Sequence, residues 1–256
     1  VKKKMHYTST TIKSKWTKTK WLDKSPEVQD YLPKTMPFSR SNLSSMLSQY
    51  STVFFKPENG TGGYNIIIRI KKRDNGYQYQ HNSVKKQFST LDNLYNELKK
   101  RNNREPYLLQ QGIQLKKTNG KPFDIRVMVQ KSSSGSWKST GIFTKIGTPG
   151  KVATNYQQGG SIGFIRPTLL NAGFSNTTAE EIEAELKKLG KSVGKVFDSH
   201  KNGFHELGLD VALDKNGGIW ILEVNTRPQF YPLKNMKDKS LYQHILTNAK
   251  KYGRKR

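Results

Sequence analysis

Leu207-Gly208-Leu209-Asp210-Val211-Ala212-Leu213-Asp214 is followed by Lys215-Asn216-Gly217-Gly218 and then by Ile219-Trp220-Ile221-Leu222-Glu223-Val224-Asn225. Two apolar runs on either side of an Asn-Gly connection read as two strands joined by a hairpin. Side chains alternate across a strand, so Glu223 and Asn225 leave the same face and Asp210 on the partner strand can meet them. Three hard oxygen donors then converge, a set suited to magnesium carried as a nucleotide complex. The competing reading is an edge strand whose polar residues simply face water.

Outward from the hairpin, composition narrows the classes. At 256 residues the chain can hold one large domain or two intimately packed ones. It has no cysteine, which excludes disulfides, zinc-thiolate sites and thiol catalysis within it. The histidines, His6, His81, His200, His205 and His244, lack ligand spacing and read as structural or surface residues. No stretch approaches the roughly 18 apolar residues of a membrane span, and the basic start at Val1 to Lys4 is not followed by a signal-peptide core. These features predict a soluble, cytoplasmic protein. Lys and Arg number 45 against 19 Asp and Glu, a net charge of +26 that attracts phosphates or any polyanion. The basic runs are scattered over loops and helix faces, and no nucleic-acid motif accompanies them. A Lys-rich solvated surface is therefore favoured over a nucleic-acid groove, with an acidic polymer as an alternative partner.

Residues 1–12 are polar and basic and read as a flexible or loosely docked N-terminus. Helices are predicted over Ser14 to Leu22, from a Ser25 cap with Pro26 at the first helical position to about Tyr31, over Ser39 to Ser48, and over Thr90 to Asn102. A strong helix runs from a cap at Thr177 or Thr178, with Glu180 and Glu181 in capping-box position, to about Phe197, and Ile182, Leu186, Leu189, Val193 and Val196 form its apolar stripe. Strands are predicted at Val53 to Lys56, Tyr64 to Lys71, Ser83 to Ser89, Tyr107 to Gln111, Asp124 to Gln130, Trp137 to Lys145 and Lys151 to Thr154. This mixture is α+β.

Lys56 ends a strand just before Pro57-Glu58-Asn59-Gly60-Thr61-Gly62-Gly63. A strand-held lysine beneath a glycine-rich loop is a phosphate-binding arrangement, although the same glycines could serve a hairpin turn. The loop is neither a dinucleotide fingerprint, since Asn65 stands where the last glycine belongs, nor a Walker A loop. Gly190-Lys191-Ser192 mimics the end of the latter but lies inside the strongest predicted helix.

The order of these pieces resembles the ATP-grasp superfamily: Lys56 and its glycine loop, the turn at Gln110-Gln111-Gly112-Ile113, Asp124-Ile125-Arg126, the turn from Asn155 to Gly160, and the Asp210/Glu223/Asn225 set. Within it, the run from Trp16 through Tyr31-Leu32-Pro33-Lys34-Thr35, Lys56-Pro57, Phe123-Asp124-Ile125-Arg126-Val127 and Glu223-Val224-Asn225-Thr226-Arg227-Pro228 is similar to the YheC/YheD group of endospore-forming bacteria, named as spore-coat-associated. The resemblance covers roughly residues 13–235. It implies an ATP-grasp fold, two α+β lobes gripping a nucleotide, with little or no N-terminal pre-grasp domain. The lid subdomain falls at about 35–110, the metal-binding lobe at about 111–235, and a basic helix and tail at 236–256.

The resemblance also implies roles. Lys15, contested by Lys13, Lys18 and Lys20, and Lys56 would reach the nucleotide phosphates, and Gly60, Gly62 and Gly63 would form the lid. The backbone of Gln111, Gly112 and Ile113 would grip adenine. Asp124 would contact nucleotide, and Arg126 would meet an anionic substrate or the transferring phosphoryl group. Asn155 with the glycines at 159 and 160 matches a phosphate turn, but similar ligases have an arginine two residues before that asparagine, where this chain has Ala153; Lys145 or Lys151 could substitute. Asp210, Glu223 and Asn225 would hold one or two magnesium ions, and Arg227 would stabilise an acyl phosphate. The implied activity is ATP- and magnesium-dependent activation of a carboxylate as acyl phosphate, with transfer to an amine or similar nucleophile. The alternative is a catalytically weak or inactive spore-coat-associated protein that binds nucleotide or polyanion.

Overall fold

The computed structural model describes residues 6–60, 67–102, 105–148 and 159–254. Ser14 and Ser39 have extended backbones and accept hydrogen bonds from Thr17 N and Asn42 N, so each caps a helix beginning one residue later. These helices are α1 (Lys15–Asp23) and α2 (Arg40–Gln49). Between them the Ser25-Pro26 segment forms turns and a single 3-10 turn at Gln29–Tyr31 rather than the predicted helix, and β1 (Thr35–Pro37) follows. Next come β2 (Thr52–Pro57), β3 (Ile68–Arg73), β4 (Gly76–His81), β5 (Val84–Phe88), α3 (Leu91–Asn102) and β6 (Tyr107–Gln111). The second half contains β7 (Lys117–Thr118), β8 (Lys121–Lys131), β9 (Trp137–Ile146), β10 (Ser161–Phe164), α4 (Ile165–Asn171), α5 (Asn176–His200), β11 (Glu206–Leu213), β12 (Ile219–Asn225) and α6 (Ser240–Lys250). The strand expected at Lys151 to Thr154 lies outside the described residues.

The strands form two antiparallel sheets, ordered β1-β6-β2-β3-β4-β5 and β10-β9-β8-β11-β12, with β7 paired to β8. On the first sheet, Val53, Phe55, Ile68, Ile70 and Tyr79 point toward α2 and α3 and bury Leu43, Met46, Leu94 and Leu98. The same alternation turns Lys56 and Gln110 to the opposite face. On the second sheet, Phe123, Ile125, Val127, Leu207 and Leu209 share a core with Ile182, Leu186, Leu189, Val193 and Phe197 of α5. Its other face is covered by α6, where Ile245 and Ala249 meet Met128 and Phe143.

The cap of α5 is Ser175, not Thr177 or Thr178. Its hydroxyl accepts from Thr178 N at 3.1 Å, so Glu180 and Glu181 take no part in a capping box, and Glu180 pairs with Arg166 instead. Gly190 explains the Walker-like tripeptide without phosphate: a Cβ there would lie 2.8 Å from Val129 Cγ2, so glycine lets the helix approach the sheet.

Residues 7–12 are docked where the sequence predicted a loose segment. Thr8 N donates to Tyr252 O at 3.2 Å, Thr10 N to Gly203 O at 2.8 Å and Ile12 N to Thr226 Oγ1 at 3.0 Å. Beneath them the fully buried Glu206 accepts from the hydroxyls of Tyr7 and Tyr252 and pairs with Arg254, so the basic C-terminal residues begin with a buried ion pair.

Candidate functional site

The β11–β12 register sets Asp210 opposite Glu223 and Gly208 opposite Asn225, which places all three predicted oxygen donors on one sheet face. A bulge follows: Val211 pairs with Ile221, leaving Leu222 unopposed. The Leu222 carbonyl accepts from Lys56 Nζ and from Gln110 Nε2, both at 3.3 Å. One irregular residue thus joins the metal-type hairpin of the second sheet to the lysine strand of the first.

Asp210 does not present its carboxylate to the cleft. Oδ1 accepts from Arg126 Nε at 2.9 Å, Arg126 Nη2 at 2.8 Å and Lys145 Nζ at 2.6 Å, and Oδ2 accepts from Asn225 Nδ2 at 2.9 Å. Burial pushes this carboxyl up, and the neighbouring Arg126 and Lys145 more than reverse that, holding it well below the usual carboxylate range. Lys145 also pairs with Asp124 at 2.9 Å. Burial pulls the Lys145 ammonium down, and Asp124 and Asp210 together raise it above its ordinary value. Two residues that the sequence assigned to ligand contact, Arg126 and Asp124, are engaged by protein groups. Arg126 also donates through Nη1 to Gln229 O at 2.9 Å, so all three nitrogens of its fork have protein partners. Asp124 is buried and paired with Lys145. Gly208 makes room for this arrangement, since a Cβ there would lie 2.4 Å from Pro228 Cβ and 3.2 Å from Arg126 Cδ.

Across the cleft, α1 supplies two lysines one turn apart, on one side of the helix. Lys15 Nζ donates to Gly60 O at 2.9 Å, and Lys15 and Lys18 each stand 3.9 Å from Glu223 Oε1. Lys13 and Lys20 stay exposed. Lys18 is 5% exposed, and burial draws it down, partly offset by Glu223 and reinforced by Lys15. Lys56 Nζ donates to Gln110 Oε1 at 2.8 Å. Burial lowers this lysine, with Glu223 opposing and Lys15 and Lys18 adding, and the result is a value of about 8. Gln110, which sequence reasoning passed over in favour of Gln111, thus orients the buried ammonium; its signal was its register opposite Phe54, on the face that Lys56 also uses. The crevice lined by Lys15, Lys18, Lys56, Gln110 and Glu223 has room for about 20 Å³, a water and not a nucleotide.

Residues 4–255 match the family described as YheC/D like ATP-grasp. The chain belongs to that family. It is 30% identical over 228 residues to the endospore coat-associated protein YheD of Bacillus subtilis (strain 168), covering 85% of this chain and 49% of that protein. It is 27% identical over 223 residues to the endospore coat-associated protein YheC of the same organism, covering 85% and 60%. The chain therefore spans about half to three-fifths of these relatives. Among solved structures it is similar to N5-carboxyaminoimidazole ribonucleotide synthetase from Thermotoga maritima, with a TM-score of 0.52 at 16% identity over 93% of this chain and 49% of that one. It is also similar to the Aspergillus clavatus synthase solved with ADP and 5-aminoimidazole ribonucleotide, with a TM-score of 0.55 at 10% identity over 94% and 52%. These likenesses establish the ATP-grasp fold.

In this YheC/D-like chain the hinge is already engaged. Gln111 N donates to Lys34 O at 2.8 Å and Gly112 N to Thr52 O at 2.9 Å, so both N–H groups have backbone partners. The Ile113 N–H has no partner among the described residues. Arg227 is exposed and sits 4.7 Å from the Tyr7 ring centroid, at the docked N-terminal segment. Gly60 is described, with a φ of 113°, whereas Gly62, Gly63, Asn155 and Ala153 lie outside the described residues.

Among the described residues, no group of three His, Asp or Glu side chains is placed to hold a metal. Two oxygen-bearing side chains remain on this face of β12, Glu223 and Asn225. Asn225 must turn its amide nitrogen to the Asp210 carboxylate, which can only accept, and this leaves its Oδ1 as the uncommitted amide oxygen on the face that it shares with the half-buried Glu223.

Proposed function

We propose that the protein is an ATP- and magnesium-dependent ligase that activates a carboxylate as an acyl phosphate and passes it to an amine or similar nucleophile, in a spore-associated setting. The observation that carries this reading is the convergence of Lys15, Lys18 and Lys56 on one crevice between two sheets, with Glu223 shared by Lys15 and Lys18. Ammonium groups held in a desolvated cleft are preorganised for phosphate oxygens and for the charge that develops as a phosphoryl group moves. Glu223 and Asn225 Oδ1 would hold magnesium, which supplies neutralisation of that charge. Asp210 acts from behind by fixing the Asn225 amide, and Arg126 and Lys145 fix Asp210. Adenine would be gripped at the hinge through the Ile113 N–H. Nucleotide entry parts the lobes by breaking the Lys56 and Gln110 bonds to Leu222. The names of the relatives support the spore association.

One observation favours a second reading, nucleotide binding without turnover: Arg126 and the Asp210 carboxylate are consumed by each other. Thermal shift with ATP, ADP and GTP, each with magnesium or with a chelator, tests the common part. A ligand at a hundredfold excess over Kd that binds only the folded state stabilises by about 2.7 kcal/mol. Magnesium with ATP should raise the midpoint, and no response to any nucleotide at millimolar concentration rejects both readings. Phosphate release with mixed carboxylates and amines then separates them: a shift without release leaves the second.

A further inference from the structure

The face of the first sheet that bears Lys56 continues outward onto β3, β4 and β5. Ile68 and Ile70 point into the core, so Arg69, Lys71 and Arg73 occupy the opposite side of β3. Gln80 and Gln78 stand opposite Arg69 and Lys71 on β4, and Lys85 and Gln87 stand opposite those glutamines on β5. Arg69 donates to Gln80 Oε1, and Arg73 Nη2 donates to Gln78 Oε1 at 3.2 Å, so the glutamines orient both guanidinium forks. Among the described residues no carboxylate pairs with Arg69, Lys71, Arg73 or Lys85, including Asp74 in the adjoining turn. Among the described residues the buried Arg69 Nε has no hydrogen-bond partner. Burial lowers Lys71, and repulsion from Arg69, Arg73 and Lys85 lowers it further; Arg69 is lowered likewise by burial and Arg73.

We propose that this face binds a phosphodiester polymer through its backbone. The cations of β3 recur every second residue, roughly 7 Å apart, and so span about 14 Å. That is a row for a repeating anion, in contrast to the convergent lysines that suit one nucleotide. Oriented arginine forks match phosphate oxygens in pairs, which a compact ammonium cannot do. The eight positions of this face on β3, β4 and β5 are four cations, three glutamines and Gly76, with no aromatic ring among them, and the half-buried Phe54 opposite Arg69 on β2 is the neighbouring ring, so recognition along these three strands falls on the phosphates. The surplus of +26 on the whole chain steers such a polymer toward it.

Fluorescence anisotropy at about 0.15 M salt tests this with three labelled probes of about twelve units: oligothymidylate, its abasic counterpart and a glycerol phosphate polymer. All three should bind within about threefold of one another. The double variant Arg69→Gln/Arg73→Gln should lose about tenfold or more, with the salt slope reduced by about two. Lys187→Gln/Lys188→Gln on the exposed side of α5 removes the same charge and should lose less than about twofold. Circular dichroism and melting of both variants should match the parent. Equal losses in the two double variants overturn the proposal, as does binding that requires bases, or polyglutamate of matched charge binding as tightly as the phosphate polymers.

Discussion

Two charged clusters share the cleft and obey opposite electrostatic rules. Around Asp210, each acid has a cation within hydrogen-bond reach: Arg126 and Lys145 for Asp210, Lys145 for Asp124. Around Lys56, Lys15 and Lys18 share Glu223 at 3.9 Å, and Lys56 itself meets only the neutral oxygens of Gln110 and Leu222. A compensated buried cluster holds the fold together, whereas an uncompensated one keeps its binding capacity for something that arrives from outside. If so, substitutions in the first should act on stability and substitutions in the second on ligand affinity.

The largest effect is expected at Asp210. Replacing it by Ala leaves Arg126 and Lys145 buried with one carboxylate between them, and breaking a buried pair this way costs about 3–5 kcal/mol. Urea unfolding of Asp210→Ala should show that loss, and a change below about 1 kcal/mol would break the comparison at its first member.

Lys56→Met should do the reverse. Affinity for ATP with magnesium, measured by calorimetry, should fall by the roughly 2–4 kcal/mol of a preorganised charge contact. Stability to urea should hold or rise, because an ammonium facing neutral acceptors is costly to bury. A loss of stability like that of Asp210→Ala would show that the two clusters are of one kind.

The smallest effect is one of pH. Lys56 titrates near 8 in the folded chain, against 10.5 ordinarily. Below pH 8 it is charged folded and unfolded alike. Between about 8 and 10.5 the unfolded chain binds the extra proton, so folding becomes more favourable as pH rises, by about 1 kcal/mol at pH 9. Parent and Lys56→Met compared in urea at pH 7 and 9 should show this rise in the parent alone; parallel changes would mean that Lys56 is not desolvated.

Much of this contrast was legible in the chain. The β11–β12 hairpin announces itself by Asn216-Gly217 between apolar runs, and strand alternation alone brings Asp210, Glu223 and Asn225 together. The partners of Asp210 were not legible, because Arg126 and Lys145 reach it from two other strands, 84 and 65 residues away, and nothing local records that pairing. Strand β4 was missed for a different reason. Tyr77, Gln78, Tyr79 and Gln80 alternate after an Asn75-Gly76 turn, but aromatic and amide side chains give little hydropathic contrast, and a period of two is hard to see without it. Gln110 and Gln111 are neighbours of the same type, so only the β2–β6 register tells which one meets Lys56.

The clasp on Glu206 has an architectural consequence. Tyr7 and Tyr252 both donate to its carboxylate, so the described chain enters and leaves at one place. That place lies four residues along β11 from Asp210, roughly 13 Å away. Polypeptide joined at either end would set out from a common point on the rim and need not cross the mouth of the cleft.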